Sequence, residues 1–82
     1  MKEVTIYTTR YCGFCVRAKQ LLQAKSIAFI EMSVDGDNAA RQDLAKRSGQ
    51  RTVPQIWVGE TYVGGCTELF ALEQHGKLDA ML

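Results

Sequence analysis

The sequence predicts an α/β fold, a mixed four-stranded sheet in the order β-α-β-α-β-β-α with helices on both faces. Three observations predict it. Residues 3–34 pass from a period-two apolar pattern to a helical one and back to a strand-like run, which is the pattern of a βαβ unit. A polar helical stretch follows. Two short β-rich runs then flank Gly59-Glu60, a two-residue hairpin signal, and a last helix closes the chain. The crossover makes the first two strands parallel and the hairpin makes the last two antiparallel, so one sheet that holds all four is mixed.

The bulk numbers bound this picture. The 82 residues make one small domain, 1–82, without a linker, repeat or low-complexity segment. A chain of this size buries only about 60% of its unfolded surface. Its apolar content of 46% is ordinary for a globular protein, and no run of about 18 apolar residues is present to span a membrane. A formal charge of +1, with acids and bases interspersed, argues against a nucleic-acid surface or a membrane-seeking face. No apolar stretch after Met1-Lys2 reads as a signal peptide, and three cysteines are too few for a disulfide-stapled scaffold. The expected compartment is therefore the reducing cytoplasm.

The elements follow in order. Glu3–Thr8 alternates, with Val4, Ile6 and Thr8 on one face, and reads as a strand. Thr9-Arg10-Tyr11 connects it to a helix over Cys12–Ala24, rich in good helix formers, with Cys15, Ala18, Leu21 and Leu22 at helical spacing. Ile27–Val34 is nearly continuous in apolar residues, which predicts a strand buried on both faces. Asp35-Gly36-Asp37-Asn38 is a turn that carries cap residues. The helix after it, Asn38–Ser48, turns Ala40, Leu44 and Ala45 inward and stops at Gly49. Val53–Val58 and Thr61–Val63 are the hairpin strands. Gly64-Gly65 ends the second, Thr67–Gln74 is the last long helix, and Lys77–Leu82 forms a short turn.

The chemistry concentrates in Cys12-Gly13-Phe14-Cys15. Two cysteines at this spacing are a reactive dithiol, half of a zinc site, or an accident. Zinc needs two more ligands, and Cys66 and His75 are the candidates, at a spacing unlike a zinc knuckle. The dithiol reading draws on position. Cys12 stands where a strand hands over to a helix, and the unpaired N–H groups of the first turn point at its sulfur. Those donors and the helix dipole favour a thiolate, and Arg10 and Arg17 add positive charge nearby. Cys15 lies one turn on. Cys12 is then the nucleophile and Cys15 the resolving thiol.

With these residues in view, the sequence resembles a glutaredoxin of the small bacterial dithiol type. The likeness rests on Ile6-Tyr7-Thr8 leading into Cys12-Gly13-Phe14-Cys15, on Thr52-Val53-Pro54-Gln55, and on Gly64-Gly65-Cys66-Thr67-Glu68-Leu69. It covers nearly the whole chain. The resemblance implies a thioredoxin-like fold and glutathione-dependent thiol–disulfide exchange, with protein disulfides and glutathionylated proteins as partners and a monomeric chain. It implies a cis Val53-Pro54 bond, where the residues alone favour a trans proline at a strand edge. Val53 would then pair with the cysteinyl backbone of glutathione, as an added strand would. The N–H groups after Gly64-Gly65 would hold its γ-glutamyl carboxylate, with Thr67 as cap and Glu68 toward its ammonium. On the residues alone that segment is equally an ordinary turn before a well-capped helix. The glutathione site so implied comprises Thr9, Phe14, Thr52, Val53, Pro54, Gly65, Cys66, Thr67 and Glu68.

The chain also departs from the family pattern. Dithiol members carry Pro and Tyr between the cysteines, where this chain has Gly13 and Phe14. A Gly-Phe pair is typical of monothiol relatives that assemble a [2Fe–2S] cluster between two subunits with glutathione, so a cluster held by Cys12 is the alternative expectation. Those relatives have Ser at the position of Cys15. The family tends to carry Lys at the position of Thr9, and Arg10 or Arg51 would have to compensate for its absence. Thr67 stands where the family has Asp. Tyr7, Tyr11 and Tyr62 are further candidates for the cleft wall, Trp57 reads as packing, and His75 reads as a helix C-terminal residue.

Overall fold

The computed structural model describes residues 2–82. The elements run β1 (Val4–Thr8), α1 (Gly13–Ala24), β2 (Ile30–Ser33), α2 (Asn38–Ser48), β3 (Gln55–Val58), β4 (Thr61–Gly64), α3 (Cys66–Gln74) and α4 (Leu78–Met81). The strands form one sheet in the order β2-β1-β3-β4. β1 pairs with β2 in parallel, and β3 pairs antiparallel with both β1 and β4, so the sheet is mixed as the connections require.

Alternation along the strands sorts their side chains onto two faces. Val4 and Ile6 stand opposite Val58 and Ile56 and face Ala18 and Leu22 of α1, Leu69 of α3 and Leu78 of α4. This is the main core. Ile6, Ile56 and Leu69 are each 0% exposed, and burial of one such side chain contributes about 1.5–3 kcal/mol. The opposite face carries Trp57 under α2, whose Arg47 guanidinium lies 4.6 Å from the indole centroid. Leu44 is the buried residue of α2.

Local chemistry sets the element ends. Cys12 is the N-cap of α1, so the helix begins at Gly13, one residue after the expected start. The Asp37 carboxylate caps α2 by accepting from the Ala40 N–H at 3.0 Å. Gly49 ends α2 in the left-handed region, φ 77°, where a side chain would be strained. β3 begins at Gln55 rather than Val53, because Pro54 has no N–H for the ladder; the Val53-Pro54 bond is cis.

One expectation is corrected. The strand expected over Ile27–Val34, buried on both faces, is only Ile30–Ser33, and all four of its residues are exposed. Ile27 and Val34 are buried but lie outside the strand. The reason is topological: β2 is an edge strand. Ile30 and Met32 point to the α2 side of the sheet, where Arg47 of α2 lies over β3, and they remain 44% and 47% exposed. Glu31, on the other face, reaches α1.

Candidate active site

β1 ends at Thr8, and the connector Thr9–Tyr11 delivers Cys12 to the start of α1. The Cys12 backbone is extended, so its side chain folds back over the first turn and its Sγ accepts from the Cys15 N–H at 3.0 Å. That bond is the expected helix-terminus donor, which stabilises negative charge on sulfur. Cys12 and Cys15 are joined as a disulfide, with Cα atoms 5.2 Å apart. Their exposure differs. Cys12 is half-buried, whereas Cys15 is 1% exposed against the sheet. An incoming sulfur therefore reaches Cys12 and not Cys15.

The loop that precedes β3 faces this pair. The Val53 carbonyl oxygen lies 3.9 Å from the Cys12 Sγ. The loop is held from below by Gln55, itself 1% exposed, whose Nε2 donates to the Gln50 carbonyl at 2.9 Å and the Thr52 carbonyl at 3.2 Å. The β4–α3 junction forms the other wall. A Cβ on Gly65 would stand 3.3 Å from the Pro54 carbonyl oxygen, so the two segments nearly touch. Glu68 Oε1 accepts from the Gly65 N–H at 2.7 Å, capping α3. This engages the Glu68 carboxylate with the chain's own backbone.

Phe14, Thr52, Val53, Pro54, Gly65, Cys66, Thr67 and Glu68 together line one cleft of about 150 Å³. These are eight of the nine residues of the expected glutathione site. Thr9 does not line the cleft. Nor do the three tyrosines. Tyr11 is 93% exposed, Tyr62 packs on Trp57 with centroids 5.1 Å apart, and Tyr7 pairs with Gln55 within the sheet. Burial, and secondarily the charge of Glu68, push the Tyr62 phenol above its ordinary value. Arg17 lays its guanidinium over the Phe70 ring at 5.5 Å, toward α3.

Two supports escaped the sequence reading. Gln55 is one. The other is a bridge in which Glu31 Oε2 accepts from the buried Thr8 hydroxyl at 2.8 Å and from Lys19 Nζ at 3.0 Å. It ties edge strand β2 to the end of β1 and to α1. The Thr8 hydroxyl, then Lys19, hold the Glu31 carboxyl below its ordinary range. In both cases the signal was a polar residue interrupting an apolar run.

The thiol and imidazole groups do not assemble into a metal site. Cys66 begins α3 and His75 ends it, about 13 Å apart by helix rise. Among the described residues no three His, Cys, Asp or Glu side chains group around one point. A [2Fe–2S] cluster takes four ligands, commonly thiolates. One chain presents a single accessible cysteine, Cys12, because Cys15 and Cys66 are 1% and 6% exposed. The donors of one chain alone therefore do not fit a cluster.

A surface-reachable cysteine at a helix start, with a buried partner one turn on, can exchange disulfides. The thiolate attacks one sulfur of a disulfide and the second thiol displaces the product. With the four-stranded sheet, this defines a thioredoxin-like thiol–disulfide oxidoreductase. Comparison with known proteins narrows the class. The family profile described as Glutaredoxin matches residues 4–63. A glutaredoxin of Pseudomonas aeruginosa is 57% identical over 82 residues, covering 100% of this chain and 98% of the relative. Glutaredoxin 3 of Escherichia coli is 46% identical over 82 residues, covering 100% and 99%. The crystal structure of the buckwheat glutaredoxin–glutathione complex superposes with a TM-score of 0.92 at 30% identity, covering 99% of this chain and 76% of that one. The chain belongs to the glutaredoxin family. No helix among the described residues is long and apolar enough to cross a membrane.

Proposed function

We propose that this protein is a glutathione-dependent oxidoreductase that reduces protein disulfides and glutathione mixed disulfides, acting as a monomeric domain over residues 1–82 in a reducing, cytoplasmic setting. One observation carries the reading: the cleft beside Cys12 is walled by Phe14, Thr52, Val53, Pro54, Gly65, Cys66, Thr67 and Glu68, which are apolar surface, strand-like backbone and a helix start. A γ-glutamyl tripeptide needs those three things. Its cysteinyl backbone pairs with Val53 as an extra strand. Its γ-glutamyl carboxylate meets the first N–H groups of α3 and the Thr67 hydroxyl. Its ammonium draws Glu68 away from the Gly65 N–H. Phe14 covers the sulfur. Thr9 lies outside the cleft lining, and Arg51, next to Thr52, supplies the cation that Thr9 lacks. The buckwheat relative forms a complex with glutathione, which supports glutathione as the ligand.

The reaction balances as two exchanges. The Cys12 thiolate attacks the glutathione sulfur of a mixed disulfide; a bond forms between Cys12 and glutathione, and the protein thiolate leaves. A second glutathione thiolate then attacks that sulfur, releasing glutathione disulfide and regenerating Cys12. With a protein disulfide, the Cys12 thiolate attacks one sulfur and frees the other as a thiolate; the Cys15 thiolate then attacks the Cys12 sulfur and releases the protein as a dithiol, and two glutathiones reduce the resulting Cys12–Cys15 bond and leave as glutathione disulfide. The test is turnover of a glutathione mixed disulfide in the presence of glutathione. Cys12→Ser is expected to abolish it, and Cys15→Ser to retain substantial activity because glutathione resolves the intermediate. Residual turnover by Cys12→Ser would overturn the assignment.

A further inference from the structure

A second concavity lies apart from the thiol cleft. It is a groove of about 650 Å³ along one flank of α2, lined by Asn38, Arg41, Gln42, Ala45, Lys46, Gly49 and Arg51. The α2 positions recur every three or four residues, so they form one stripe. The stripe lies beside the residues that seal α2 to the sheet, Leu44 and Arg47. Three of the seven lining residues are cations and none is an acid. In a chain of net charge +1 with interspersed charges, this is a local excess. Among the described residues, neither Arg41, Lys46 nor Arg51 has a carboxylate within ion-pair distance, although Arg47 on the same helix pairs with Asp43 and Lys19 and Lys25 each have acidic partners.

The groove and the thiol cleft are linked through the chain. Arg51 lines the first and Thr52, its neighbour, lines the second. The segment between is held in place by the Gln55 bonds to the Gln50 and Thr52 carbonyls and by the Ser48 hydroxyl, which accepts from the Gln50 N–H at 3.0 Å. A peptide whose cysteine has been captured by Cys12, and whose backbone pairs with Val53, passes Thr52 and Arg51 and enters the groove within a few residues. We propose that the α2 groove docks an acidic segment of the protein partner, two to five residues from the disulfide cysteine that Cys12 attacks. The inference rests on the disulfide-exchange reading above.

The charges are solvent-exposed, so each pair adds little and salt weakens it. Several together give about a tenfold preference at low ionic strength. The experiment uses single-turnover reduction of synthetic peptides by the reduced protein without glutathione, quenched with acid and resolved by chromatography. Each peptide carries one intramolecular disulfide, with three Glu, three Gln or three Lys placed on either side of it. Expected rates at 20 mM salt rank Glu over Gln over Lys, with the Glu-to-Gln ratio near ten for one placement and falling toward one at 0.5 M salt. The variant R41S/K46S is expected to lose that ratio while reducing the Gln peptide at the wild-type rate. Equal rates for the Glu and Gln peptides overturn the proposal, as does a preference that survives in R41S/K46S. A rise in the KM for glutathione in R41S/K46S, with the peptide preference intact, assigns the groove to glutathione instead and also overturns it. Failure to reduce even the Gln peptide marks failure of the exchange reading itself.

Discussion

Gly64→Ala should be among the most damaging small substitutions in this protein. Gly64 has φ +128°, a region that an alanine enters only at a cost of about 1–3 kcal/mol. Its added Cβ would also stand 2.7 Å from both Cβ and Cγ of Glu68 and 2.8 Å from its Oε1. Those atoms cannot retreat without breaking the Gly65 N–H to Glu68 Oε1 bond at 2.7 Å, a cap worth about 1 kcal/mol. The sum is about 2–4 kcal/mol, a large part of the 5–15 kcal/mol typical of a folded domain. For a domain of this size that lowers the melting temperature by about 10–25 °C. Urea denaturation of four proteins separates the two causes: wild type, Gly64→Ala, Glu68→Ala and the double variant. Glu68→Ala alone should cost about 1 kcal/mol. The double variant should cost about 1 kcal/mol less than the sum, because the cap is lost only once. Strict additivity, or a cost below 1 kcal/mol for Gly64→Ala, would refute the contact as the cause.

Two further outcomes follow from the supports beneath the cleft. Gln55→Leu removes both bonds to the Gln50 and Thr52 carbonyls and also the buried Oε1, which has no partner, so the net stability loss should be only about 1–2 kcal/mol. The freed loop should raise the KM for a disulfide substrate several-fold while kcat changes less; an unchanged KM would show that Gln55 merely fills space. Glu31→Gln tests the bridge to Thr8 and Lys19. The Glu31 carboxyl is held below its ordinary value of 4.5, so its contribution is present above that pH and is lost as pH falls through the lowered folded value. Its side chain is 40% exposed and screened by solvent, so the gap at neutral pH should be about 0.5–1 kcal/mol. Denaturation midpoints of wild type and variant should therefore draw together as pH falls below 4.5. A gap that stays constant from pH 7 to pH 3 contradicts the assignment.

The sequence made the helices legible because their ends carry unambiguous chemistry. Asn38–Ser48 came out residue for residue, since Asp37 can accept from the Ala40 N–H and Gly49 can turn left-handed. β2 was misjudged because apolar content does not say whether a strand is central or at an edge; that depends on where α2 settles, which is decided by contacts with β3. The cleft lining was legible by resemblance, and eight residues from three separated segments converge as expected. The tyrosines were misplaced because an aromatic near a reactive cysteine in sequence can still point outward, as Tyr11 does at 93% exposure. The roles of Gln55 and Glu31 depend on partners 3–5 and 12–23 residues away, and no local pattern announces such partners.

The unequal burial of the two cysteines supports the proposed order of events, in which Cys12 attacks first and Cys15 resolves. Both thiols belong to one helical turn, and their Cα atoms are 5.2 Å apart, so either sulfur could in principle attack first. Position decides otherwise. Cys12, as N-cap, is out of the helix and half-exposed, with the Cys15 N–H donating to its sulfur. Cys15 is inside the helix and sealed against the sheet alongside Ala18 and Leu22. A bulky disulfide cannot reach it without unpacking the core, whereas the Cys12 sulfur is within bonding reach once the mixed disulfide forms. The step from cap to helix interior therefore separates the two sulfurs in accessibility, which the two proposed roles require.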